Sequence, residues 1–141
     1  MPIQELKYAG NDYIEGDLKR LKRLVSLKDD LLDEFNIIRG YWPIELPWPP
    51  PDFGFLDGLI TKCEVDGELF KVYKDRIPIS RPKMSPSEGC RLIFAIGCKS
   101  YTFVPLLVYS AKEEKGFYVI NNKKFSLKSG NLGKIIGEKL R

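Results

Sequence analysis

Two alternating runs, LITKCEV and ELFKVYKDRI, flank the dipeptide Asp66-Gly67, and no other feature narrows the fold so far. A two-residue hairpin turn of type I′ needs positive φ at both central residues, which Asp-Gly tolerates. Residues 59–77 are therefore expected to pair as antiparallel strands. Two further strand-like runs, CRLIFAI and YTFVPLLVYS, follow and are joined by the short loop GCKS. Pro105 inside the last run has no amide to give to a ladder, which predicts a bulge or a position where the N–H is not needed. Strict alternation puts Phe103, Pro105, Leu107 and Tyr109 on one face, and Thr102, Val104, Leu106, Val108 and Ser110 on the other. Both sets are largely apolar, as suits a central strand covered on both sides, and Tyr109 sits at its exit, where its hydroxyl can reach solvent.

The N-terminal part reads differently. PIQELKYAG alternates like a first strand, and Asn11 offers a helix cap. Ile14, Leu18, Leu21 and Val25 recur at helical spacing, with Lys19, Arg20, Lys22 and Arg23 on the other faces. Ser26 with Asp29 three residues on resembles a capping box, and Leu31, Leu32, Phe35 and Ile38 form a second apolar stripe that Gly40 ends. Helices joined this tightly are expected to fold back as an antiparallel hairpin. GYWPIELPWPPPDFGF then excludes regular helix or central strand. It carries both tryptophans and is expected to form an extended strap over the core, a partner-binding surface being the alternative. Near the C-terminus, FYVI-NN-KKFSL reads as another hairpin. Ser129 or Asn131 offers a cap for a short helix, LGKIIGEKL, weakened by Gly133 and Gly137.

The expected architecture is a single α+β domain over residues 1–141, with helices against one face of a sheet. Residues 1–40 supply a strand and a helical hairpin, 41–58 the strap, 59–115 an antiparallel sheet of three to four strands, and 116–141 a basic hairpin with a short C-terminal helix. A chain of 141 residues, 43% hydrophobic, suffices for one core. No run approaches the roughly 20 apolar residues of a membrane-crossing helix. The start, MPIQELKYAG, lacks the apolar core of a signal peptide, so no membrane partner and a cytoplasmic location are expected. Cys63, Cys90 and Cys98 show no paired spacing, and the chain has no histidine. No metal or other cofactor is expected, and the three thiols read as reduced, partly buried core residues.

Charge is distributed unevenly. Residues 1–70 hold 8 Lys/Arg against 14 Asp/Glu, net −6, whereas residues 71–141 hold 15 against 5, net +10. That polarity points to an anionic partner: RNA, DNA or an acidic protein. Lys74 and Arg76 lie two apart in a strand and so share a face, roughly 7 Å from one another. Their repulsion is about 2 kcal/mol at an effective dielectric near 20, and less in water. Arg91 opens the neighbouring strand. Open solvent or a bound anion makes such a cluster tolerable.

The order of elements and four stretches resemble the RelE/ParE toxin superfamily: DLKRLKRL on the first helix, VYKDRI and GCRLIFAI on successive strands, and FVPLLVYSAKEEK on the last. The resemblance covers roughly residues 3–115. It implies a small cytoplasmic toxin of a toxin–antitoxin pair, with a cognate antitoxin as partner. In the RelE-like branch it implies a metal-free endoribonuclease that cuts mRNA on the ribosome and stops translation. The family's functional lysine and arginine match Lys74 and Arg76. Its arginine opening the next strand matches Arg91, and its positions at the end of the last core strand match Tyr109 and Lys112.

The chemistry asks for the same residue types. Cleavage without metal uses the 2′-hydroxyl as nucleophile and needs a base, positive charge at the phosphorane-like transition state, and an acid for the departing 5′-oxygen. Arg76 and Arg91 suit the phosphate, and Lys74, crowded by arginines, suits proton transfer. Tyr109 is a candidate for base stacking or proton transfer, and Glu113 a weaker candidate base. Lys71, Arg81, Lys83, Lys112 and Lys115, with Lys19, Arg20, Lys22 and Arg23 on the helix, are candidate contacts to RNA phosphates. Two other functions fit the same residues. One is a ParE-like toxin that binds gyrase without enzymatic chemistry; the other is a non-toxic RNA-binding module.

Overall fold

The computed structural model describes residues 5–40 and 56–140. Most of the expected strap, with both tryptophans, lies outside these residues. A five-stranded sheet forms the centre, in the order β1 (Lys7–Tyr8), β5 (Thr102–Ser110), β4 (Cys90–Gly97), β3 (Glu68–Ile77), β2 (Leu56–Val65). β2 to β5 are antiparallel neighbours, whereas β1 runs parallel to β5, so the sheet is mixed rather than purely antiparallel. The β2–β3 turn follows its sequence: Val65 pairs with Glu68, and Asp66 and Gly67 have φ of 51° and 81°. Asn121 and Asn122, at 52° and 62°, close a second hairpin between β6 (Phe117–Ile120) and β7 (Lys123–Ser126).

Helices cover both faces, not one. On the first face α2 (Leu27–Gly40) packs over β3 and buries Leu27, Leu31, Phe35 and Ile38, which fall on one side at helical spacing. At roughly 1.5–3 kcal/mol for each large apolar side chain removed from water, these four contribute about 6–12 kcal/mol before chain entropy is subtracted. Leu32, expected in this stripe, is 43% exposed, and Leu27 takes its place. Their partners across the interface include Tyr73, Ile77, Leu92, Phe94, Phe103 and Val108. On the second face α3 (Leu132–Lys139) and the β6–β7 ribbon cover Val72, Ile93, Ala95, Leu107 and Tyr109 with Leu132, Ile135, Ile136 and Tyr118. Gly133 and Gly137 fall on the outer side of α3, where they cost propensity but no packing.

Three local expectations change. The first helix is short: a 3-10 turn at Asp12–Ile14 leads into α1 (Glu15–Arg20), and Leu21–Ser26 is turn, leaving Val25 71% exposed. Two comparable helices in a hairpin are therefore not formed. Ser26 does not build a capping box with Asp29. Its hydroxyl donates to Asp30 Oδ2 (2.6 Å) and accepts the Arg81 N–H (2.9 Å), a tertiary link that takes precedence over a local one. In β5 the register slips between Ile93/Leu107 and Phe94/Pro105. The bulge flips the alternation, so Phe103 and Val108 face α2 while Leu107 and Tyr109 face α3. Of the thiols, Cys90 is buried and Cys63 half-buried, but Cys98 is exposed on the β4–β5 loop. No helix among the described residues is long and apolar enough to cross a membrane.

Candidate functional site

The register brings the predicted cations together. Arg76 lies opposite Arg91, Arg91 opposite Tyr109, and Lys74 opposite Ile93. Residues directly opposed across an antiparallel ladder share a face, so Lys74, Arg76, Arg91 and Tyr109 all project from the α3 side, at the end where β3 leaves the sheet. Lys71 has the parity of Tyr73 and therefore belongs to the other face. It does not join the cluster, because a single strand with regular register cannot place 71 and 74 on one side.

A short element completes this corner. Ser110 ends β5 and starts a 3-10 turn, Ala111–Lys115, through a reciprocal box: its hydroxyl accepts the Glu113 N–H (3.3 Å) and Glu113 Oε1 accepts the Ser110 N–H (2.9 Å). This turns Glu113 toward Arg20, whose Nε donates to Glu113 Oε2 at 2.8 Å. Glu114 points to the cation face. Its Oε1 accepts from Arg91 Nε and lies 3.9 Å from Lys74 Nζ. The carboxylate at the centre of the cluster is thus Glu114, not the Glu113 suggested by sequence, and 34% of its side chain is exposed.

Arg91 is almost enclosed, its side chain 5% exposed. Nη1 and Nη2 donate to the carbonyls of Pro86 and Ser87, each at 3.0 Å. One guanidinium therefore ties the 78–89 loop to Glu114, and its fork is occupied by the chain's own acceptors. Arg76 is exposed on the same face. Tyr109, expected at a solvent-facing exit, is fully buried beneath the C-terminal segment and lies out of reach of a base.

The remaining candidates spread around this end of the sheet. Arg81 and Lys83 are exposed on the 78–89 loop, and Lys112 and Lys115 on the 3-10 turn. Lys112 borders, with Arg20, Arg23 and Glu88, a cleft of about 310 Å3 on the α2 side of this end. Lys19, Lys22 and Arg23 are exposed along α1 and the turn after it. Arg20 is a structural residue. It donates to Asp17 Oδ1 (2.7 Å), to the Val108 carbonyl (2.8 Å) and to Glu113. Burial works against its charge, but the bonds to Glu113 and Asp17 outweigh it and hold its pKa above the ordinary arginine value.

Asp17 was not singled out by its sequence, and it accepts four hydrogen bonds. It is fully buried, and it accepts from Arg20, from the Tyr118 hydroxyl (2.5 Å), from the Val108 N–H (3.1 Å) and from Lys139 Nζ (2.9 Å). It thereby joins α1, β5, β6 and α3. Burial, then the bond to Asp17, push the Tyr118 phenol above its ordinary value, while burial pulls the Lys139 ammonium below its own. The only trace in the sequence is the i,i+3 pair Asp17/Arg20. Burial also pushes the Cys90 thiol up to about 12, far from a thiolate nucleophile. The chain matches no family model, no curated protein and no solved structure.

Proposed function

We propose that this chain is a RelE-like toxin that cleaves mRNA on the ribosome without a metal. The observation that carries the reading is the shared face of Lys74, Arg76 and Arg91, with the half-open carboxylate of Glu114 between Lys74 and Arg91. Arg76, exposed, takes the scissile phosphate and its developing negative charge. Glu114 accepts the 2′-hydroxyl proton as that oxygen bonds to phosphorus. Lys74 donates a proton to the 5′-oxygen as the P–O5′ bond breaks, leaving a 2′,3′-cyclic phosphate and a 5′-hydroxyl. Arg91 is a positioning residue that fixes Glu114. Much of the rate comes from holding the RNA in line, which the ribosome supplies. The partners are then ribosome, mRNA and an antitoxin whose acidic segment covers the cation face, all in the cytoplasm.

Induced expression tests this directly. Wild type should arrest growth and generate new mRNA 5′ ends within translated frames, and Arg76→Ala should remove both while leaving the folded protein intact. Growth arrest with an intact transcript pool would overturn the nuclease. The enclosure of Arg91 and Tyr109 favours, as second reading, a ParE-like toxin that binds gyrase. Its mark would be arrest with DNA damage and unchanged mRNA ends.

A further inference from the structure

The β6–β7 ribbon lies beyond the stretch that resembles the toxin family, and its outer side is unusual. Strand alternation turns Tyr118 and Ile120 inward and Phe117 and Val119 outward, 58% and 67% exposed. Neither outward side chain gains much from folding, so packing does not account for them. Val119 lies opposite Lys124 and Phe117 opposite Ser126, and the Lys124 ammonium sits 4.5 Å from the centre of the Phe117 ring. Exposed Lys112 and Lys115 precede the ribbon and exposed Lys128 follows it. The two acids in this stretch, Glu113 and Glu114, are turned to Arg20 and Arg91.

The ribbon is held in place. Tyr118, between the two exposed side chains, donates to buried Asp17 at 2.5 Å, and Leu127 N–H donates to the Gly116 carbonyl at 3.1 Å. Phe117 follows Glu114 by three residues, so its Cα lies within about 11 Å of the carboxylate's backbone. We infer that the Phe117 ring, with Lys124 over it and exposed Lys115 two residues before it, is a stacking platform for one base of single-stranded RNA whose backbone passes the cation face. This rests on the reading of RNA as the ligand of that face. Two apolar side chains are far too few for a stable protein interface of about 800 Å2 per partner, and lysine is depleted from the cores of such interfaces. One ring with a lysine against it and further exposed lysines near it in the chain suffices for a base and its phosphates.

The test uses the full chain and a short labelled single-stranded RNA carrying 2′-O-methyl groups, which cannot be cleaved, with binding followed by fluorescence anisotropy. Phe117→Ala should weaken binding about tenfold without changing its salt dependence. Phe117→Trp should restore it, and Phe117→Leu, which keeps apolar area but no π face, should not. Lys124→Gln should reduce the slope of log affinity against log salt by about 0.7. Unchanged affinity in Phe117→Ala, full binding by Phe117→Leu, or no RNA binding by the wild type would each overturn the platform. Mapping of mRNA ends in parallel separates the two ideas. Phe117-dependent binding with uncut mRNA leaves the platform standing without the nuclease, and cut mRNA with a neutral Phe117→Ala does the reverse.

Discussion

Two carboxylates in this molecule are each held by one arginine and one lysine, and they differ in nearly everything else. Asp17 is fully buried between Arg20 and Lys139, and a tyrosine hydroxyl and a backbone amide fill its remaining acceptor sites. Glu114 lies between Arg91 and Lys74 with 34% of its side chain exposed, and a single oxygen serves both cations. Full satisfaction in a dry site makes a rigid joint, because every alternative leaves a desolvated charge without a partner. Partial satisfaction at a wet edge leaves a carboxylate open to a proton and cations that can exchange it for a phosphate. A carboxylate, an arginine and a lysine thus build a closed clasp in one place and an open, charged corner in another, and burial decides which.

The largest effect should come from breaking the clasp. Asp17→Ala leaves Lys139 buried without its counter-ion and strands the Tyr118 hydroxyl and the Val108 N–H, which should cost about 3–5 kcal/mol in urea unfolding. A loss under about 1 kcal/mol would show that water or other groups replace Asp17, and the contrast with Glu114 would collapse. Arg91→Ala is next. It removes charged bonds to Glu114 and to two loop carbonyls, and a loss of about 2 kcal/mol is expected, with faster hydrogen exchange confined to the 78–89 loop. Arg91→Lys keeps the charge but cannot reach three acceptors, and it should recover less than half.

How far the sequence leads is clearest from these same residues. The turn pairs Asp66-Gly67 and Asn121-Asn122 were legible because only positive-φ residues fit them, and β3, β4 and β5 because their runs alternate or stay apolar over whole strands. The shared face of Lys74 and Arg76 followed from parity alone, whereas Arg91 was expected only as a neighbour on the next strand and joins them through the register. Asp17 was not legible: one polar residue in a six-residue helix shows nothing of the three other elements that converge on it. Tyr109 was misplaced for two reasons. A bulge resets alternation without an obvious mark beyond Pro105, and the segment that buries Tyr109 is a glycine-weakened helix plus a short ribbon. Glu113 was preferred to Glu114 because the box with Ser110, which decides where each points, is a matter of one residue in a tight turn.

A third carboxylate sharpens the comparison from the other side. Glu34 on α2 is buried next to Asp75 on β3, beneath the α2 layer, and burial raises its pKa above the ordinary value of 4.5. The folded state therefore binds this proton more tightly than the unfolded chain. The associated stability is fully present below about pH 4.5 and is lost as pH rises through the folded value. Glu34→Gln keeps the shape and removes the charge, so it should stabilise the protein by about 1 kcal/mol at pH 7 and by nothing at pH 4. Asp30 acts in the opposite sense. Burial works against its charge, but hydrogen bonds from Ser26 and Ser80 outweigh it and hold its pKa below 3.8, so its contribution disappears only as pH falls through that lowered value. A gain from Glu34→Gln that is the same at both pH values would mean that titration is not its source.

Glu114→Gln should produce the smallest change in stability and the clearest change in behaviour. Its side chain is partly exposed, and glutamine still accepts from Arg91 Nε, so less than about 0.5 kcal/mol should be lost. As a base, however, an amide is useless, and general-base catalysis contributes typically 10² to 10⁴-fold. mRNA cutting should therefore fall at least about a hundredfold in a protein that unfolds at nearly the wild-type urea concentration, and growth arrest should go with it. Removing a negative charge from between Lys74 and Arg91 should at the same time tighten binding of uncleavable RNA, since the phosphate no longer competes with a carboxylate. Loss of cutting together with tighter binding would distinguish a proton acceptor from a strut, which on removal would weaken both. Unchanged cutting would transfer the base to another group and leave Glu114 as a counter-ion, the same structural role that Asp17 fills in the interior.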